Sequence, residues 1–302
     1  MNRTVRHELS CAEPFAWQPL FRALAAHAVP GLERAEYDGD GGAWVERLVP
    51  ALSGPALVRV RFGRPGMVEV DLSLAPEAPA ETLGQEEAAV LALMRRWLDL
   101  DADPAVIDPF LSGFGLLAPL VAAAPGLRVP GSVDGFETAV QTVLGQQVSL
   151  AAARTFGARL VVACGGEARH GLRSFPAADR LAAVPTPDLQ AAVGLTHARA
   201  RTVTALAEAA ASGLSIGNAS DPGATRAALL ALPGIGPWTA DYLAVRVFGD
   251  RDAYAADDLV LKRALGVTTA RAAAALSEPW RPWRAYALFH LWTGAAYGAA
   301  RS

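Results

Sequence analysis

The sequence predicts an α+β protein: an N-terminal mixed α/β domain with an antiparallel sheet, followed by an all-α region. Three observations carry this prediction. Between residues 56 and 74, apolar side chains alternate with polar ones in two runs, the period of a strand with one buried face. From about Pro104 onward the alternation stops and helical spacing takes over. The chain has 302 residues, 52% hydrophobic and 19% charged, enough to bury a core and too apolar for disorder. Length allows one large domain or two to three small ones. The change of pattern divides the chain into 1–103 and 104–302, the latter in two helical subdomains, the second about 132–250.

In the front part, Trp17–Val29 has helical spacing and Glu86–Leu100 has it more clearly. Trp44–Val49 reads as a strand. Val58, Val60 and Phe62, then Val68, Val70, Leu72 and Leu74, form a hairpin around the turn Gly63-Arg64-Pro65-Gly66. Nothing here names a chemistry. In the back part, Asp134 precedes a helix over Gly135–Leu144, with Glu137 placed for a capping box. Gly145 interrupts at Gln146-Gln147-Val148-Ser149, and a helix over Leu150–Cys164 follows. Further helices are expected near Asp188–Val193, Arg199–Ser212, Ala224–Leu232, Pro237–Phe248, Asp258–Leu265 and Pro282–Tyr297. Gly113–Ala118 fits the dinucleotide pattern G-x-G-x-x-A, but follows no strand and reads as a chance match.

Net charge is -3, which by itself argues mildly against a nucleic-acid partner. Splitting the chain changes that reading: residues 1–127 balance at -7 and residues 128–302 at +4. Of 27 basic residues, Lys262 is the lone lysine. Two cysteines, Cys11 and Cys164, exclude a disulfide framework and any four-cysteine zinc or iron–sulfur site. The first residues lack a signal-peptide core and no apolar run is long enough for a membrane span, so a soluble cytoplasmic protein is expected.

The informative stretch is Leu229-Leu230-Ala231-Leu232-Pro233-Gly234-Ile235-Gly236-Pro237-Trp238-Thr239-Ala240. A helix ends, two glycines shape a tight turn, and a helix begins at Pro237, where a proline loses no needed hydrogen bond. The turn's N–H groups and the new helix N-terminus suit an anion such as a phosphate. Twenty residues after Trp238, Asp257 and Asp258 open another amphipathic helix. Capping suits Asp257; Asp258 falls in the first turn, where the helix dipole favours a carboxylate that can oppose a positive centre.

Hairpin and aspartate at this distance resemble the helix–hairpin–helix DNA glycosylase superfamily, and within it the AlkA-type DNA-3-methyladenine glycosylase II family. The resemblance extends to Leu127–Glu137, Leu144–Ser149 and Trp280–Leu288 through Trp292. It implies a monofunctional glycosylase of base excision repair. Such an enzyme hydrolyses the N-glycosidic bond of alkylated, cationic purines flipped out of duplex DNA. Asp258 would be the catalytic residue, stabilising the sugar cation or assisting water. Trp238, Tyr242, Trp292 and Gln146 would form the base pocket, holding a cationic base by stacking and cation–π attraction. Gly234, Gly236, Thr239, Gln147 and Lys262 would contact DNA, and the Thr239 hydroxyl would reach a phosphate.

Bifunctional members carry a lysine just after the hairpin; here Trp238 stands there, which implies water as the nucleophile. Lys262, four residues after Asp258, reads as its partner or as a phosphate contact. No cofactor is implied beyond a monovalent cation, sodium or potassium, at the backbone carbonyls of Leu230, Leu232 and Ile235. The expected partner is damaged double-stranded DNA, bound by a monomer. Two positions depart from the family pattern: Gln147 replaces a leucine wedge, and Leu259 stands where an aromatic is expected. The rival reading is a non-catalytic helix–hairpin–helix DNA-binding or damage-sensing protein.

Overall fold

A computed structural model describes residues 4–75, 81–166, 168–217 and 221–296. Five antiparallel strands form the front sheet: β1 (Thr4–Ser10), β2 (Glu33–Tyr37), β3 (Ala43–Val49), β4 (Ala56–Phe62) and β5 (Met67–Ser73), in spatial order β1-β5-β4-β3-β2. Val58 pairs with Leu72 and Val60 with Val70, so both strands of the expected hairpin turn the same apolar set inward. Gly63 and Gly66 take positive φ in its turn. Leu20, Phe21 and Leu24 of α1 (Trp17–His27) and Val90, Met94 and Trp97 of α2 (Leu83–Trp97) complete this core. Leu74 is only half-buried.

The edge strands β1 and β2 show no apolar run that would announce them: Leu9 is their only fully buried residue. They are held by the ladder and by charged pairs such as Arg6–Asp71 and Arg34–Glu46, and charged side chains on an edge discourage pairing with other chains.

The helical region comprises α3 (Pro104–Ser112), α4 (Ala118–Ala123), α5 (Gly135–Gly145), α6 (Leu150–Cys164), α7 (Ala178–Ala182), α8 (Thr186–Val193), α9 (His197–Ala211), α10 (Pro222–Leu230), α11 (Pro237–Arg246), α12 (Leu259–Ala264), α13 (Ala270–Ser277) and α14 (Arg284–Ala296). It packs around two cores. One gathers residues of α5 through α11, including Val140, Leu160, Val203 and Leu243. The other joins α3, α4, α12 and α14 through Leu111, Val121, Leu261 and Leu288. Trp280 is buried in the second core as a packing residue. Tyr297, expected in the last helix, lies outside the described residues.

Strands do not vanish after Pro104. β6 (Ala168–Arg169) and β7 (Leu172–Arg173) form a short hairpin. Its two-residue turn, His170-Gly171, has positive φ at both positions, as a tight hairpin requires. Two-residue strands leave no period to read. Gly113–Leu117 links α3 to α4 with no strand before it, so the structure gives it no dinucleotide-binding context.

The capping box at α5 is half formed. The Asp134 carboxylate accepts from the Glu137 N–H at 2.9 Å, but Glu137 does not reach back. Its carboxylate instead takes two hydrogen bonds from Arg47 Nη2, at 2.8 and 2.6 Å. A buried cation on β3 outcompetes the local cap because a charge-assisted pair is the stronger bond.

Candidate active site

The hairpin lies between α10 and α11. Gly234 sits at φ +81°, and a Cβ there would come within 2.1 Å of the Thr202 hydroxyl on α9, so both conformation and packing demand glycine. Gly236 caps α11 without a side chain, leaving no side-chain acceptor for the helix's first N–H groups. Gln146 braces this turn. Its side-chain amide donates to the Gly234 carbonyl at 3.1 Å and to Thr239 Oγ1 at 3.0 Å. Two expectations are corrected here. Gln146 does not line the cavity described below. Thr239 is buried, with its hydroxyl oxygen accepting from Gln146, so an anion at the surface of this turn would meet backbone N–H groups before that side chain.

Asp258 is the N-cap of α12, not a residue of its first turn: one carboxylate oxygen accepts from the Leu261 N–H at 2.8 Å. The same oxygen accepts from the Trp292 indole at 3.0 Å, and the other accepts from the Trp238 indole at 3.2 Å. The cap assigned to Asp257 therefore belongs to Asp258. Asp257 is exposed and pairs with Lys262 at 2.7 Å, so Lys262 is not the partner of Asp258. Among the described residues, no arginine or lysine forms an ion pair with Asp258.

Trp238 and Tyr242 are four apart on α11 and stack with ring centroids 5.5 Å apart. Trp292 meets Tyr242 at 6.0 Å, tilted, and Phe289 at 5.1 Å, edge-on. The Arg246 guanidinium lies 5.5 Å from the Tyr242 ring and donates to its hydroxyl at 2.6 Å. The tryptophans thus do more than offer faces: their N–H groups fix a carboxylate.

Asp258, Trp238, Tyr242 and Trp292 open onto a cavity of about 310 Å³. Gly145 and Val148 line it beside Gln147, which is exposed and takes an uncommon φ of +54°. Leu259, directly after Asp258, is 63% exposed.

The opposite part of the wall was not read from the sequence. It includes His27 of α1, Glu33 of β2, Arg47 of β3 and Glu137 and Gln141 of α5. Arg47 bridges Glu33 and Glu137, and all three are nearly excluded from solvent. Burial pushes Glu137 up to about 7 against the pull of Arg47, with Glu33 adding to the rise. Burial likewise raises Glu33, opposed by Arg47. Burial lowers His27 to about 4, with Arg246 adding to the depression. The front domain therefore supplies part of the cavity wall, although its own sequence names no chemistry.

A helix–hairpin–helix turn, an aspartate caged by indoles and a cavity shared with a sheet domain together define the architecture of a base excision glycosylase. The chain belongs to the HhH-GPD superfamily of base excision DNA repair proteins, in its AlkA branch. The AlkA N-terminal domain matches residues 6–134, and the HhH-GPD superfamily base excision DNA repair protein model matches residues 140–274. DNA-3-methyladenine glycosylase 2 of Escherichia coli strain K12 is 34% identical over 292 residues, covering 95% of this chain and 96% of that protein. The probable bifunctional transcriptional activator/DNA repair enzyme AlkA of Mycobacterium tuberculosis is 40% identical over 303 residues. That match covers 96% of this chain but 57% of the relative, so the chain spans little more than half its length. The 3-methyladenine DNA-glycosylase of Archaeoglobus fulgidus shares the fold, with a TM-score of 0.80, 19% identity and coverage of 97% and 99% of the two chains. No helix among the described residues is long and apolar enough to cross a membrane.

Proposed function

We propose that the chain is a monofunctional DNA glycosylase that releases alkylated, cationic purines from duplex DNA. The observation that carries this reading is Asp258: a carboxylate at a cavity wall, fixed by three N–H donors and paired with no cation among the described residues. Fixed charge aimed at a developing cation, in a site that excludes water, stabilises a transition state without reorganising. The flipped nucleotide would place its sugar against Asp258. As the glycosidic bond stretches, positive charge grows on the sugar and the carboxylate opposes it. An alkylated purine already carries positive charge and leaves without a strong acid. The base departs neutral with the glycosidic electron pair; water then adds to the sugar carbon and its proton passes to the Asp258 carboxylate or to solvent.

The absence of lyase chemistry belongs to the same proposal. Trp238 occupies the post-hairpin position, and the Lys262 amine is engaged with Asp257. At the hairpin, Leu230 is the last residue of α10 and Leu232 and Ile235 follow it, at a helix C-terminus where neutral carbonyl oxygens and the helix dipole suit a sodium or potassium ion. Bound there, the ion would help hold the turn against a DNA phosphate. The proposed partner is damaged duplex DNA, bound by a monomer.

Asp258→Asn tests this reading on methylated duplex DNA. Free-base release is expected to fall by about 10²–10³-fold while duplex affinity stays close to that of the unaltered protein. Full release by this variant, or a borohydride-trapped covalent complex with the unaltered protein, would contradict it. A protein that binds the duplex but releases no base would favour a damage-sensing role instead.

A further inference from the structure

Gln141 sits on α5 about one helical turn before Gly145, roughly 6 Å away along the axis. It is half-buried and lines the cavity. Its side-chain amide donates to Glu137 Oε1 at 3.1 Å. The orientation of that amide is dictated by its neighbour. Arg47 donates to both Glu137 oxygens, which favours the carboxylate as an acceptor and turns the Gln141 NH₂ group toward it. The Gln141 carbonyl oxygen is then turned the other way, and it accepts no hydrogen bond among the described residues. Its neighbours on the wall are already engaged: the hydroxyls of Thr138 and Thr142 donate to backbone carbonyls at 2.9 and 2.7 Å.

We propose that Gln141 is a specificity-determining residue: its carbonyl oxygen accepts a hydrogen bond from an N–H group on the edge of the flipped base. The inference rests on the glycosylase reading above and extends it to a substrate class. The ion pair behind the residue explains why a glutamine is preset as an acceptor. The Arg47–Glu137 pair polarises and orients the amide before any base arrives, so little reorganisation accompanies binding. Bases with a ring N–H or exocyclic amine, such as 7-methylguanine or hypoxanthine, satisfy this acceptor. A base without an N–H, such as 1,N6-ethenoadenine, leaves it buried and unpaired, which is the costly outcome.

The test uses the whole chain with Gln141→Leu and, to keep side-chain length, Gln141→Met. Defined duplexes carrying 7-methylguanine, hypoxanthine or 1,N6-ethenoadenine are compared by single-turnover release. For a lesion that is not released, affinity as a competitor serves instead. Both variants are expected to narrow the preference for N–H-bearing bases over 1,N6-ethenoadenine by about tenfold, through loss on the first, gain on the second, or both. An unchanged preference, or equal losses on every lesion, would overturn the proposal. If the unaltered protein released no base from any methylated duplex, the glycosylase reading itself would fail, a result distinct from either.

Discussion

The cavity has carboxylates in two parts of its wall, and they are held in opposite ways. Glu33 and Glu137 are anchored by a cation, Arg47, and the charges largely cancel. Asp258 is anchored by neutral donors, two indoles and a backbone N–H, so its charge is fixed in direction but not cancelled. Similar groups thus diverge in task. A cation partner turns a buried carboxylate into a joint between domains. A cage of neutral donors leaves an anion able to act on a positive charge that appears elsewhere.

Breaking the joint gives the largest expected effect on stability. Arg47→Met removes the ion-pair partner of Glu33 and Glu137, and denaturant unfolding should show a loss of about 3–5 kcal/mol. The second effect comes from His27 on the same wall. Its proton binds at 6.5 in an ordinary setting but only near 4 when folded, so the unfolded chain takes it up first as pH falls. His27 therefore contributes stability that is present above pH 6.5 and is lost progressively toward pH 4. The loss is at most about 3 kcal/mol, because the ring borders the cavity and keeps some solvent. His27→Gln should flatten that acid limb in unfolding midpoints measured across pH. A variant that follows the unaltered protein would contradict this account.

The smaller effect sharpens the other half of the comparison. Trp238→Phe keeps a ring against Tyr242 but removes the indole N–H from Asp258. Base release should drop by about tenfold or more, the worth of a hydrogen bond to a charged group, with little change in stability. An equal loss of stability would mean that the ring's packing matters more than its donor.

What the sequence disclosed, and what it did not, follows from the range of the interactions. The β4–β5 hairpin and the glycine turn were legible because period and turn chemistry lie within a few residues. Asp258 was legible through its spacing from the hairpin. Its capping role was misplaced by one residue, since Asp257 and Asp258 look alike until the backbone selects one. The strands β1 and β2 lacked an apolar signature because they are charged edges. Glu137 looked like a local cap; its real partner, Arg47, is 90 residues away, and no local pattern reports such a pair. The resemblance puts Gln146 in the pocket, whereas in the structure its amide secures the hairpin. The indole donors were hidden behind a reading of tryptophan as an aromatic face.

Uncancelled charge at Asp258 is proposed to drive base release, whereas the Arg47 joint holds the wall and orients Gln141. The most direct measurement compares Asp258→Asn with Glu33→Gln, each scored for single-turnover release from methylated duplex DNA and for unfolding free energy. Asp258→Asn is expected to lose about 10²–10³ in rate with its fold intact. Glu33→Gln should lose stability while keeping its rate within a few-fold. Comparable rate losses in the two variants, or an undiminished rate in Asp258→Asn, would contradict it.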